Sequence, residues 1–288
     1  MVIYFFSPDV KKKGRNEMSE NQCIGFIGSG NMGTALMKGL IQSSLFSEDQ
    51  LFAYDKDEKA LKRVFDLFGL NCCKSNSELT RKCSIILFCV KPQNMRDVLQ
   101  EVKDEINENH LLISIAAGIT IEMICSMVGE RIPVIRVMPN TPALIQKGIS
   151  ALSSAKNVSL EHMRLAAKIF GAVGDTVEVE ESMMDAVTAL SGSGPGYVFR
   201  IMESMVEEGI GLGLNRDTSE RLVIQTFLGA ASLAKDSDFT LAGLRKMVTS
   251  RGGTTAAGLD MFDQMGLDVM IHKAIEAAYR RSVKLGEK

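Results

Sequence analysis

Three glycines punctuate the run Gly28-Ser29-Gly30-Asn31-Met32-Gly33, which follows the apolar segment Cys23–Ile27 directly and opens a helical pattern. In that setting Gly28 permits a tight turn, Gly30 lets a backbone come close to a pyrophosphate, and Gly33 lets helix and strand pack closely. The loop amides and the helix dipole then meet phosphate oxygens. Gly28, Ser29, Gly30, Asn31, Met32 and Gly33 are therefore candidates for holding a dinucleotide. Asp55 stands 22 positions after Gly33, at the end of the next apolar run. An acid there can accept hydrogen bonds from the adenosine ribose and repel a 2′-phosphate, which leans toward NADH over NADPH. Lys56 and Lys59 moderate that lean. The alternative for Asp55 is a turn residue or a helix N-cap before Glu58.

A second cluster lies far along the chain. Ser250-Arg251-Gly252-Gly253-Thr254-Thr255 joins two glycines to two threonines at the head of a helical run. Free N–H donors of this kind suit a carboxylate, and the alternative is an ordinary N-cap with a glycine turn. Metal chemistry has no comparable signal. The six cysteines form no C-x-x-C pair, and His110, His162 and His272 are scattered. The thiols read as small buried hydrophobes in a reducing cytoplasm, where we expect the protein to act.

These clusters need elements to position them. Short β-like runs at Cys23–Ile27, Leu51–Tyr54, Ser84–Val90, Leu111–Ile115 and Ile132–Met138, most of them continuously apolar, read as strands buried on both faces of a parallel sheet. Weaker runs at Ile149–Leu152 and Thr176–Val179 extend it. Between the first two strands Met32, Ala35, Leu36, Gly39 and Leu40 mark one helical face. The alternation predicts an α/β, Rossmann-type doubly wound domain over residues 21–180. Beyond Glu180 strand signals cease, and helical patterns run through Val198–Ile210, Thr218–Ala234 and Leu267–Leu285. Residues 181–288 thus read as an all-helical substrate and dimerisation domain, with apolar faces broad enough to engage another subunit. Residues 1–20, with Lys11-Lys12-Lys13, read as a disordered lead-in, and Met18 is an alternative start. A net charge of −2 over 288 residues offers no basic field for nucleic acid or a membrane surface. No apolar run reaches the roughly 18 residues that span a bilayer, and the first six residues are too short for a signal-peptide core.

With the loop placed, several segments resemble one family. The opening Gly25–Gly33, Val90-Lys91-Pro92-Gln93, Ser114–Ile119 and Arg136–Pro142 are similar to the pyrroline-5-carboxylate reductases. So, more specifically, are Asp185-Ala186-Val187-Thr188-Ala189-Leu190-Ser191-Gly192-Ser193-Gly194-Pro195 and Val248–Gly258. The match runs in order from about Cys23 to the end. This resemblance implies hydride transfer from NADH or NADPH to the cyclic imine pyrroline-5-carboxylate, giving L-proline, and a homodimer or a larger assembly of dimers with the substrate site completed across the interface. It implies that Asn76, Val90, Lys91, Ala117 and Gly118 line the cofactor cleft and that Asn140 lies near the nicotinamide. Asn140 in its Pro-Asn-Thr-Pro stretch is equally a turn former. It further implies that Ser250, Gly252, Gly253 and Thr254 hold the substrate carboxylate, that Thr255 reaches the ring nitrogen as the catalytic residue, and that Glu181 touches substrate. Glu181 is otherwise a first-turn acid favoured by the helix dipole. Arg251, where the family usually has proline, and Met247, where some members have asparagine, depart from the pattern.

Two other readings compete. A 3-hydroxyacid dehydrogenase also joins a Rossmann domain to helices, but generally carries a lysine behind a glycine-rich stretch, where this chain has Tyr197-Val198-Phe199-Arg200. A nicotinamide-binding paralogue without turnover would keep the fold alone.

Overall fold

The computed structural model describes residues 22–286; the expected lead-in over 1–20 lies outside them. Among the described residues eight strands form one sheet: β1 (Ile24–Ile27), β2 (Leu51–Tyr54), β3 (Asn71–Cys72), β4 (Ile85–Phe88), β5 (Leu111–Ser114), β6 (Val134–Pro139), β7 (Gly148–Ser154) and β8 (Gly174–Glu178). Their order is β3-β2-β1-β4-β5-β6-β7-β8, so the order in which strands are added reverses between β1 and β4. In an open α/β sheet that reversal opens a ligand crevice at the carboxyl ends of the strands.

Helices α1 (Asn31–Gln42), α2 (Glu58–Phe68), α3 (Asn76–Lys82), α4 (Met95–Val102), α5 (Ile121–Val128) and α6 (Leu160–Gly171) cover both faces. Leu36 and Leu40 of α1, Val64 of α2 and Phe170 of α6 share one core with Leu51, Ile85 and Leu111. Leu79 of α3, Leu99 of α4 and Ile124 of α5 share the other with Ile27, Phe88 and Val134. Every residue of β1, β4 and β5 is buried, which is why these strands are apolar without alternation. The two-residue β3, exposed at the sheet edge, has no apolar signal of its own and pairs with β2 through Phe52 and Ala53.

All neighbouring strands are parallel except β6 and β7, which run antiparallel with Pro139 opposite Ser150. A parallel return needs a crossover of about a dozen residues or more. The link between Pro139 and Gly148 is shorter and turns sharply through Gln146, whose φ is 59°. Direction thus follows from loop length.

The remaining helices are α7 (Met184–Val187), α8 (Gly194–Gly211), α9 (Arg216–Asp236), α10 (Leu241–Met247), α11 (Thr254–Met265) and α12 (Leu267–Gly286). The short α10 was not apparent in the sequence. By packing, the chain divides into a sheet unit, up to Ser193 and again from Ala278, and a helical unit, Gly194–Ala277. Residues 181–193, at the head of the expected helical domain, group with the sheet unit by packing. They hold to it because Glu181 pairs with Arg136 of β6 at 2.9 Å, Met184 and Ala189 are fully buried, and Asn140 donates to Ser191 Oγ. The end of α12 returns to this unit, where Ser282 donates to Asp185 at 2.6 Å.

Within the helical unit α8 packs on α9, and Gly209 leaves space that a Cβ would contest with Ser219 Oγ at 2.7 Å. Few side chains are buried there, notably Val206 and Val223, while Leu212, Leu241 and Met265 are more than three-quarters exposed. So large an apolar surface marks a protein contact. We expect light scattering on the purified protein to give a dimer or a multiple of dimers; an active monomer would contradict this.

Candidate active site

The phosphate loop is built by β1 and α1. Gly28 has φ +104°, and a Cβ on it would stand 2.8 Å from the Cys89 carbonyl oxygen. Its amide donates to Tyr54 O at 2.8 Å, joining the loop to β2. A Cβ on Gly33 would meet Gly28 O at 2.7 Å, whereas one on Gly30 would meet nothing within 4 Å. Gly28 and Gly33 are thus required by close packing and Gly30 leaves an approach open. Helix α1 has no side-chain cap and no acid in its first turn, and the Ser29 hydroxyl is buried without a partner. Uncapped N–H groups, an orphaned hydroxyl and an open glycine fit the pyrophosphate of a nicotinamide dinucleotide. Asn31 is exposed and Met32 half-buried at the start of α1.

Asp55 bonds to the loop itself. Its Oδ2 accepts from Ser29 N at 2.6 Å and its Oδ1 from Asp57 N at 2.9 Å. The cap of α2 is Asp57, which accepts from Lys59 N, so Asp55 is a brace for the loop and not that helix's cap.

Val90 and Lys91 follow β4 and Ala117 and Gly118 follow β5, at neighbouring strand ends. Val90 is close enough to place Cγ1 3.2 Å from a Cβ built on Gly28, while Lys91 is exposed before Pro92. Gly118 is buried with φ +76°, and a Cβ there would meet Leu285 Cβ at 2.9 Å. Its glycine is demanded by the returning end of α12. Asn76, 6% exposed, donates through Nδ2 to Glu101 of α4 at 2.5 Å and leaves a buried, unpartnered Oδ1. No contact joins Asn76 to the loop among the described hydrogen bonds.

Glu181 accepts at Oε1 from Arg136 Nη1 at 2.9 Å and from Ile121 N at 3.1 Å. Arg136 is 3% exposed on β6, so Glu181 neutralises a buried cation and caps the start of α5. The dipole of its own short turn is a minor matter beside that. Asn140 accepts from Ile149 N at 2.9 Å and donates to Ser191 Oγ at 3.3 Å, tying the link between β6 and β7 to the 181–193 segment.

In the helical unit, the chain leaves α10 and turns at Gly252, φ +70°. Gly253 N donates to Ser250 O at 3.0 Å, and a Cβ on Gly253 would collide with Ser250 Oγ. Helix α11 then starts at Thr254 with no side-chain cap and no acid in its first turn. Thr254 and Thr255 are exposed there, as are Arg251 and Met247. The first-turn amides are therefore free for an anion.

A pyrroline-5-carboxylate reductase of Methanosarcina acetivorans is 39% identical over 269 residues, covering 93% of this chain and all of the relative. This chain belongs to the pyrroline-5-carboxylate reductase family. Residues 181–285 match the family described as pyrroline-5-carboxylate reductase dimerisation, and residues 23–118 the one described as NADP oxidoreductase coenzyme F420-dependent. The Plasmodium falciparum pyrroline carboxylate reductase, solved with NADP bound, is 36% identical with a TM-score of 0.85, over 93% of this chain and 99% of that one. The Coxiella burnetii pyrroline-5-carboxylate reductase is 32% identical with a TM-score of 0.87, over 93% and 100%.

Burial pushes the Cys89 thiol, beside Gly28 and Gly33, up to about 12, so it is a neutral packing group. Sequence reasoning missed the Arg136–Glu181 pair and Arg63 of α2, which donates to Ser29 O at 2.9 Å. A lone Arg inside an apolar strand was the signal for the first; a cation on the helix after Asp55 was the signal for the second. Among the described residues no helix is long and apolar enough to cross a membrane.

Proposed function

We propose that this chain reduces pyrroline-5-carboxylate to L-proline with hydride from NADH or NADPH. The whole-length identity to a pyrroline-5-carboxylate reductase carries the reading, and the cytoplasmic setting expected from the cysteine pattern belongs to it. The dinucleotide, when bound, supplies the hydride. The chain's own part is positioning. Ser29, Gly30 and the first amides of α1 hold the pyrophosphate, with Asn31, Met32, Val90, Lys91, Ala117 and Asn76 along the same strand ends. Gly252, Gly253, Thr254 and Ser250 receive the carboxylate, and Thr255 hydroxyl orients the ring nitrogen. A protonated imine is already a strong electrophile, so no strong side-chain acid is needed. Alignment alone lowers such barriers by up to about 7–11 kcal/mol in favourable cases.

Glu181 supports substrate binding at one remove, by fixing the start of α5 and the head of the 181–193 segment. The test is the loss of reduced-nicotinamide absorbance with pyrroline-5-carboxylate. Turnover of 3-hydroxyacids without imine reduction would overturn the reading, and nucleotide binding with no turnover of either would favour the inactive paralogue.

Cofactor choice is the finer question. Asp55 favours the unphosphorylated ribose, and we expect kcat/KM with NADH at least comparable to that with NADPH. Asp55→Ser should move the ratio toward NADPH while loosening the loop, since Ser29 N loses its carboxylate partner. A strong wild-type preference for NADPH that the substitution leaves unmoved would remove Asp55 from cofactor selection.

A further inference from the structure

We propose that Arg63 is a specificity residue that admits the 2′-phosphate of NADPH, an inference that rests on the reductase reading above. Arg63 lies in the second turn of α2, exposed to solvent, yet its guanidinium is held in one place. Nη2 donates to Ser29 O at 2.9 Å and lies 3.4 Å from Thr34 Oγ1. The same Ser29 peptide gives its N–H to Asp55. One peptide of the phosphate loop is therefore gripped from both sides, by an anion at its amide and a cation at its carbonyl.

This arrangement changes the electrostatics expected from Asp55 alone. In this kind of site the acid ending the second strand bonds the adenosine ribose, and here that acid is tied to the Ser29 peptide that Arg63 also holds. Asp55 by itself would repel a phosphate there. Both its oxygens, however, already face backbone N–H groups, of Ser29 and Asp57, which draws off part of its field. Arg63 brings a permanent cation to the same peptide, and its Nε and Nη1 hold no hydrogen bond among the described residues. A planar guanidinium with unspent donors matches a phosphate bidentately. Lys56 and Lys59 are also nearby in sequence, but they project from the exposed first turn of the helix region with no contact fixing them to the loop. The geometry singles out Arg63, with Asp55 serving the ribose hydroxyls of NADH and Arg63 the added phosphate of NADPH.

The experiment is calorimetric binding of NADP⁺ and NAD⁺ to the full chain, as wild type, R63Q and R63K, with 2′,5′-ADP and 5′-AMP as the minimal pair. R63Q should raise the ratio Kd(NADP⁺)/Kd(NAD⁺) by roughly tenfold to a hundredfold, the value of a charge-assisted contact, and 2′,5′-ADP should weaken against 5′-AMP in parallel. R63K, which keeps the charge and loses the fork, should restore part of the ratio. If both constants rise together, Arg63 only braces the loop and the proposal fails. If neither moves, it fails as well. Imine reduction driven by NADH, measured beside these titrations, separates the two ideas: its absence in the wild type with nucleotide binding intact would sink the reductase reading and leave the Arg63 result standing on its own.

Discussion

Glu181→Ala is expected to destabilise the protein by about 3 kcal/mol, a large share of a typical domain's stability. The reason is what stays behind. Arg136 points from β6 into the sheet unit with its side chain 4% exposed, and its guanidinium cannot shed its charge. Removing Glu181 leaves that cation unpaired and strips Ile121 N of its acceptor. The side chain of Glu181 is 33% exposed, so water softens the loss and the lower end of the range for broken buried pairs applies. Chemical denaturation of Glu181→Ala and of the double variant Glu181→Ala with Arg136→Met measures this. The double variant should regain much of the loss, because an apolar residue of similar length suits the site. A direct substrate contact would instead raise KM while the denaturation midpoint stayed put, and that result would return Glu181 to the substrate.

Thr255→Ala should lower kcat/KM for the imine by roughly ten- to two-hundredfold, the worth of one hydrogen bond of about 1.5–3 kcal/mol to a charged group. Thr255 is exposed in the first turn of α11 and carries no packing duty that alanine would fail, so the melting temperature should hold. Thr255→Ser keeps the hydroxyl and should recover most of the rate. Dinucleotide affinity, read by fluorescence titration, should stay nearly level in both. Rate, stability and cofactor affinity falling together in the alanine variant would mean a structural threonine. Unchanged kinetics would end its role in orienting the nitrogen.

What the sequence made legible follows from what each signal measures. Continuous apolar runs located β1, β4, β5 and β6 because those strands are buried on both faces, and the loop glycines were readable because strand and helix flank them. β3 stayed hidden: two residues at an exposed edge have no periodicity to detect. The boundary at Glu181 followed the change of hydrophobic period, but tertiary bonds from Arg136, Asn140 and Ser282 keep residues 181–193 on the sheet unit. Side-chain pairings between distant residues carry no local pattern, so Asp55's brace on Ser29 and Arg63's hold on its carbonyl could not be read from spacing. The resemblance assigned Gly118 to a cofactor, while the structure gives that glycine a second necessity under Leu285.

The return of α12 makes the sheet unit discontinuous along the chain. Asp185 and Ser282, bonded at 2.6 Å, are 97 residues apart in sequence, and Gly118 waits still longer for Leu285. During synthesis on a ribosome the sheet and the helices packed on it emerge well before the segment that covers Gly118 and Asp185. A nascent chain must therefore hold an incomplete surface around Asp185 and Gly118 until the end of α12 has been made. Closing so long a loop costs chain entropy that shorter contacts escape, which makes this seam a late event in folding and exposes the nascent protein there to chaperones and proteases.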